Sequence, residues 1–211
     1  MAQLLDFEEV LRQHVSWKTP ADELAGVVRL VKRQLKGNSQ MAMDAVYVAV
    51  PNKVWLARFT RAFADERITC FSPKQVVENM TRADEMPLED FNGSICVGSY
   101  GSIAKMRPVH LYCTGLVEGF FPVGNEAPAA LEAEAKVLTS AVAETPGTLI
   151  FSSFKRVSPD EAATWHLPSL RQRREHGRDV VVTTHSHFID AMYDDAPTLV
   201  SGEQYLMHLF G

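Results

Sequence analysis

Cysteine is scarce in this chain: Cys70, Cys96 and Cys113 are the only three in 211 residues, each isolated among strand-like neighbours. An odd number without C-x-x-C spacing excludes a disulfide framework and a cysteine-based metal site, and it fits a reducing cytoplasm. Long apolar runs are missing too. No stretch reaches the roughly 18 uninterrupted apolar residues of a membrane-spanning helix, and Asp6, Glu8, Glu9 and Arg12 interrupt the first 17 positions, so no membrane partner is expected. Positive charge is not in excess. The formal net charge of -5 excludes a broadly basic nucleic-acid binder and leaves room only for a local patch. No G-x-x-x-x-G-K-S/T phosphate loop occurs, so the backbone cradle and lysine that hold ATP phosphates are absent from this chain. Neither a G-x-S-x-G nucleophile elbow, nor an internal repeat, nor a low-complexity linker is found.

What is present is enough apolar side chain, 46% of residues, to build one core of ordinary domain size. Thr19 can cap a helix and Pro20 fits its first turn. Leu24, Val27, Val28, Val31 and Leu35 then form one apolar face before Gly37, which predicts a helix from Thr19 to Asn38. The continuous run from Ala45 to Val50, closed by Pro51-Asn52, reads as a strand buried on both faces. Leu56, Phe59 and Phe63 follow at helical spacing, Ile68 to Phe71 reads as a short strand, and Ser72-Pro73 opens another helix. Further strands are predicted at Ser94 to Gly98, Val109 to Thr114 and Thr148 to Phe154, with a helix from Ala129 to Ala143. This alternation predicts an α/β fold with a mostly parallel sheet flanked by helices. A charged loop separates two of these units around Thr81 to Asp90. Beyond Ser158 the pattern is irregular apart from a possible strand at Val180 to Thr183. Residues 1–158 therefore read as the principal domain and 159–211 as a C-terminal extension packed on or following it.

Three segments carry a family resemblance. Strand Val109 to Thr114 runs into Gly115-Leu116-Val117-Glu118-Gly119-Phe120-Phe121-Pro122, which resembles the strand and loop after motif V of UvrD/Rep-like superfamily 1 DNA helicases. The helix Asp22 to Leu35, the strand Ala45 to Val50 and the turn at Asn52 resemble the motif IV region, where the family has Tyr-Arg-Thr-Asn. The run Ile95 to Ser102 resembles motif V, and Glu134 to Ser152 aligns with motif VI. The order from Asp22 to Phe154 thus looks like the second RecA-like (2A) domain of that family. The resemblance implies a RecA-like (P-loop NTPase-type) sheet and a place in DNA repair or recombination.

The same alignment implies what is lost. Val50 stands where motif IV has arginine, Ala135 and Lys136 replace the paired arginines of motif VI, and Glu144 falls where its phosphate-contacting arginine belongs. Losing an arginine finger costs roughly 10³ to 10⁵ in rate, and a carboxylate there adds repulsion. The resemblance therefore implies a non-catalytic module for single-stranded DNA binding or scaffolding. It needs no cofactor of its own, and ATP and magnesium would enter only through a partner helicase domain that supplies the phosphate loop. An active helicase fragment with such an upstream domain is the alternative.

On that reading Asn52, Ser99, Tyr100, Ser102, Lys105 and Arg107 are the candidate nucleic-acid contacts. Hydroxyls and cations suit phosphate oxygens, and a tyrosine offers a stacking face. A weaker basic patch gathers Arg171, Arg173, Arg174 and Arg178 near Lys155 and Arg156. His185, His187 and Asp190 form a usable ligand set for a divalent ion, hence an alternative metal-dependent hydrolase or nuclease. Residues two apart share a face only on a strand, and His185 reads as the start of a helix towards Met192. A protein-interaction domain that has left nucleic acid altogether is the remaining alternative.

Overall fold

The computed structural model describes residues 12–37, 45–81, 93–121, 128–167, 171–192 and 199–211. Strand β1 (Arg12–Trp17) leads into α1 (Pro20–Gly37), followed by β2 (Val46–Val50), α2 (Lys53–Asp65), β3 (Cys70–Phe71) and α3 (Pro73–Thr81). Next come β4 (Ile95–Ser99), a 3-10 turn, the short α4 (Ile103–Met106), β5 (His110–Cys113), α5 (Pro128–Glu144) and β6 (Leu149–Phe154). The last part holds β7 (Arg156–Val157), α6 (Pro159–Thr164), β8 (Arg171–Glu175), β9 (Arg178–Val182), α7 (His187–Met192), β10 (Leu199–Ser201) and α8 (Gly202–Phe210). The predicted loop at 82–90 lies outside the described residues, as does Pro122.

Seven strands form one sheet in the order β10-β1-β6-β5-β2-β4-β3, and every pairing in it is parallel. This is the α/β arrangement expected of a RecA-like sheet flanked by helices. Strand β2 shows why the sheet needs helices on both sides. All five of its residues are buried, with Val46, Val48 and Val50 in one core and Tyr47 and Ala49 in the other. The first core takes Val27 and Val31 from α1, Trp55, Phe59 and Phe63 from α2, and Tyr205 from α8. The second takes Val76 from α3, Ile103 and Met106 from α4, Leu138 and Val142 from α5, and Phe188 and Ile189 from α7.

Helix α1 starts as its sequence predicts. The Thr19 hydroxyl accepts from the Asp22 N–H, and Asp22 Oδ2 accepts from the Thr19 N–H in return, a reciprocal cap of the first turn. Strand β1 was not legible as a strand, because Gln13, His14 and Ser16 are polar, yet all three are buried. Two β1 side chains, His14 and Trp17, meet hydroxyls of β6. His14 Nε2 lies 2.9 Å from Ser153 Oγ, and Trp17 Nε1 donates to Ser152 Oγ at 2.9 Å. The Trp17 ring is sandwiched between α1 and the start of α8. A Cβ at Gly26 would come within 2.0 Å of it, and one at Gly202 within 2.1 Å.

The stretch after residue 158 contributes to the same sheet: β10 pairs with β1 and α8 covers one core. Its β8 and β9 also join β7 (Arg156–Val157) in a second, antiparallel sheet ordered β7-β9-β8. Its β8–β9 hairpin turns through His176 and Gly177 with φ of 49° and 78°, the left-handed pair that a tight two-residue turn requires. Among the described residues no helix is long and apolar enough to cross a membrane.

Candidate functional site

Open parallel sheets bind ligands outside the carboxyl ends of their strands, where neighbouring strands send their chains to opposite faces. Here β2 and β5 are neighbours, with α2 on one face and α5 on the other. The crevice between them is bounded by Pro51-Asn52 and Thr114-Gly115.

Gly115 has φ of +65°, and a Cβ on it would lie 2.8 Å from Pro51 Cγ and 3.2 Å from Trp55 Nε1. Only glycine fits both the left-handed backbone and the space. Its N–H donates to Glu23 Oε1 at 2.9 Å, and the same oxygen accepts from Ser152 Oγ at 2.6 Å. The chain Trp17 Nε1 to Ser152 Oγ to Glu23 to Gly115 N–H thus ties β1, β6, α1 and the β5 loop together. Glu23 is fully buried, and burial pushes its carboxyl up to about 8, against the opposing pull of the Ser152 and Gly115 hydrogen bonds. Burial therefore favours its neutral form. Its Oε2 and the Trp55 indole N–H are buried without a hydrogen-bond partner among the described residues.

The loop beyond Gly115 closes the crevice from both sides. Phe120 packs on Trp55 and Trp165, with ring centroids 5.1 and 5.4 Å apart, in the first core. Phe121 stacks on Tyr100 at 4.0 Å in the second. Glu118 Oε1 accepts from the His187 backbone N–H at 2.5 Å and lies 2.8 Å from its Nδ1, which satisfies the start of α7. Pro51, Trp55 and Phe120 pack together at this end of the sheet.

The sequence-predicted contacts do not converge. Ser99 and Ser102 stand together at the end of β4, their hydroxyls 3.2 Å apart. Lys105 and Arg107 are exposed, but α4 carries them away from that end towards the start of β5. Tyr100 is corrected outright: it is buried, its hydroxyl donates to Thr114 O at 2.7 Å, and Phe121 covers its ring, so no face is free for a base. Asn52 caps α2, with Oδ1 accepting from Trp55 N–H at 3.0 Å. Asn52→Ala is expected to cost about 1 kcal/mol, read by urea denaturation.

The positions that the resemblance aligns with phosphate-contacting arginines are equally dispersed. Val50 is core, Ala135 is half-buried, and Lys136 and Glu144 are exposed on α5. The two candidate metal-ligating histidines face different partners. His185 precedes α7 instead of opening it, bridges to Val117 and packs edge-on against His14 with centroids 5.3 Å apart, while His187 engages Glu118. The Asp190 side chain lies outside the described residues. No group of three metal-ligating residues occurs among the described ones.

The basic cluster that the sequence suggests only weakly is better assembled. The β8–β9 hairpin brings Arg173 to a pocket shared with Lys155 and Arg156 beside the ends of β1 and β6. Five consecutive exposed or half-buried residues, Arg-Gln-Arg-Arg-Glu, make up β8, so no apolar alternation betrayed it as a strand.

Fold and site together define an α/β protein with a seven-stranded parallel sheet whose central crevice is filled by its own side chains. Comparison with protein-family models, curated proteins and solved structures found no match.

Proposed function

We propose that this chain is a non-catalytic relative of the C-terminal motor domain of UvrD/Rep-like helicases, acting as a single-stranded DNA-binding or scaffolding module in a DNA-processing protein. The filled crevice carries this reading: Trp55 and Phe120 pack where phosphates would need space, and the positions aligned with the family's arginines hold Val50, Ala135, Lys136 and Glu144. A sheet of this kind with its polar residues at the carboxyl ends still offers hydroxyls, Ser99 and Ser102 among them, to a backbone that needs no deep pocket.

Two measurements test it. ATP hydrolysis by the chain, with and without single-stranded DNA, is expected at background level, and robust turnover would sink the proposal in favour of an active motor. Anisotropy of a labelled oligothymidylate is expected to show binding that weakens roughly twentyfold between about 50 and 200 mM salt if three phosphates are contacted. Absence of binding would favour the protein-interaction alternative.

A further inference from the structure

Beside the filled crevice, a pocket of about 340 Å³ lies between the carboxyl ends of β1 and β6 and the β8–β9 hairpin. Its floor is Ser16 and Ser153, which are register partners at the ends of two parallel strands. Its walls bring Lys155, Arg156 and Arg173 together. Glu175 is the single carboxylate among the described lining residues, and it is already paired with Arg156. Lys155 and Arg173 are exposed and have no carboxylate partner among the described residues. Three cations over one neutralised acid leave a local positive excess on a chain whose net charge is negative.

The frame around these charges is rigid. The Lys155 N–H donates to Trp17 O at 2.9 Å, and its carbonyl accepts from Thr183 N–H at 3.0 Å, so its backbone is bonded to β1 on one side and to the end of β9 on the other. Arg173 pairs with Val180 and Arg156 with Val182 in the small sheet. Thr184 and His185 complete the rim. The guanidinium fork of Arg173 and the ammonium of Lys155 at the carboxyl ends of parallel strands match the oxygens of a phosphate better than those of a neutral ligand.

We propose that this pocket binds a phosphate group, presented either by the end of a nucleic-acid strand or by a small phosphorylated metabolite. The size is at the lower end of ligand pockets, enough for a phosphate and an attached sugar. The site does not depend on the single-stranded DNA reading, because it lies at β1 and β6 and not at the end of β4.

Calorimetric titration of the full chain with inorganic phosphate, with AMP, and with a short oligothymidylate carrying or lacking a terminal phosphate tests it. Arg173→Gln and Lys155→Gln alter exposed side chains and are expected to leave thermal melting unchanged. Each is expected to weaken phosphate binding roughly ten- to a hundredfold, the worth of a charge-assisted hydrogen bond. Arg178→Gln, on the same hairpin outside this pocket, is expected to have little effect. Binding of inorganic phosphate and AMP without oligonucleotide binding would assign the pocket to a metabolite and remove the DNA module. A preference for the phosphorylated oligonucleotide that Arg173→Gln abolishes would assign it to a strand end. If phosphate does not bind, or if Arg178→Gln weakens it as much as Arg173→Gln, the pocket proposal is overturned, while oligonucleotide binding that ignores the terminal phosphate would leave the DNA reading standing.

Discussion

Stability is expected to fall by on the order of 4 kcal/mol as pH rises from about 5 to about 8.5, because of Glu23. Its carboxyl has an ordinary value of 4.5 in the unfolded chain and one of about 8 in the fold. Below 4.5 the group is neutral in both states and costs nothing. Between the two values the unfolded chain releases the proton while the folded protein keeps it, so each step up in pH favours unfolding. Above 8 the fold carries a buried carboxylate and the loss is complete. Glu23→Gln removes the titration yet keeps an oxygen for Gly115 N–H and Ser152 Oγ, so its urea midpoint should be nearly flat across the same range. Relative to Glu23→Gln, Glu23→Leu strands two buried donors and should cost about 2 to 4 kcal/mol at every pH. Parallel pH profiles for the wild type and the glutamine variant would show that Glu23 is not the group responsible.

The second large effect concerns Gly26. In a helix interior, glycine to alanine ordinarily stabilises by up to about 1 kcal/mol. Here the new Cβ would come within 2.0 Å of the Trp17 ring, so Gly26→Ala is expected to destabilise by about 3 kcal/mol through overpacking. Trp17→Ala should cost about 3 to 5 kcal/mol, since it removes the ring and leaves Ser152 without its indole donor. The double variant is the decisive measurement. With the ring gone, the extra methyl has room, so the two costs should fall well short of adding. Full additivity in denaturation experiments would mean that the ring and the glycine do not meet.

Both effects rest on residues whose importance the sequence conceals. A glutamate in the first turn of a helix is ordinary, because it favours the positive end of the helix dipole. Nothing local marks Glu23 as buried; its partners, Gly115 and Ser152, are 92 and 129 positions away. Strand β1 is hidden for the same reason: Gln13, His14 and Ser16 look solvent-facing yet are buried, and the β6 hydroxyls that meet His14 and Trp17 lie more than 130 positions away. The apolar strands β2, β4, β5 and β6 could be read directly, because strands buried on both faces are continuous hydrophobic runs. Tyr100 shows the limit of reading sites from residue type. A tyrosine in a polar loop suggests an open ring, but the aromatic partner that covers it, Phe121, comes from a different strand's loop. The hairpin arginines were visible as a charge run, whereas their meeting with Lys155 across two sheets depends on tertiary pairing.

The β5 loop has a consequence for how the protein is made. Leu116 N–H donates to Ser152 O, Glu118 N–H donates to Thr184 O, and Leu116 O accepts from Ser186 N–H. Each anchor is synthesised after the loop itself, the last of them some 70 residues later. On the ribosome, Phe120 can meet Trp55 and Phe121 can meet Tyr100 early, but neither ring is fully enclosed until Trp165 and Phe188 have emerged. During that interval the nascent protein displays adjacent aromatic side chains of the kind that chaperones hold and that partly folded neighbours stick to.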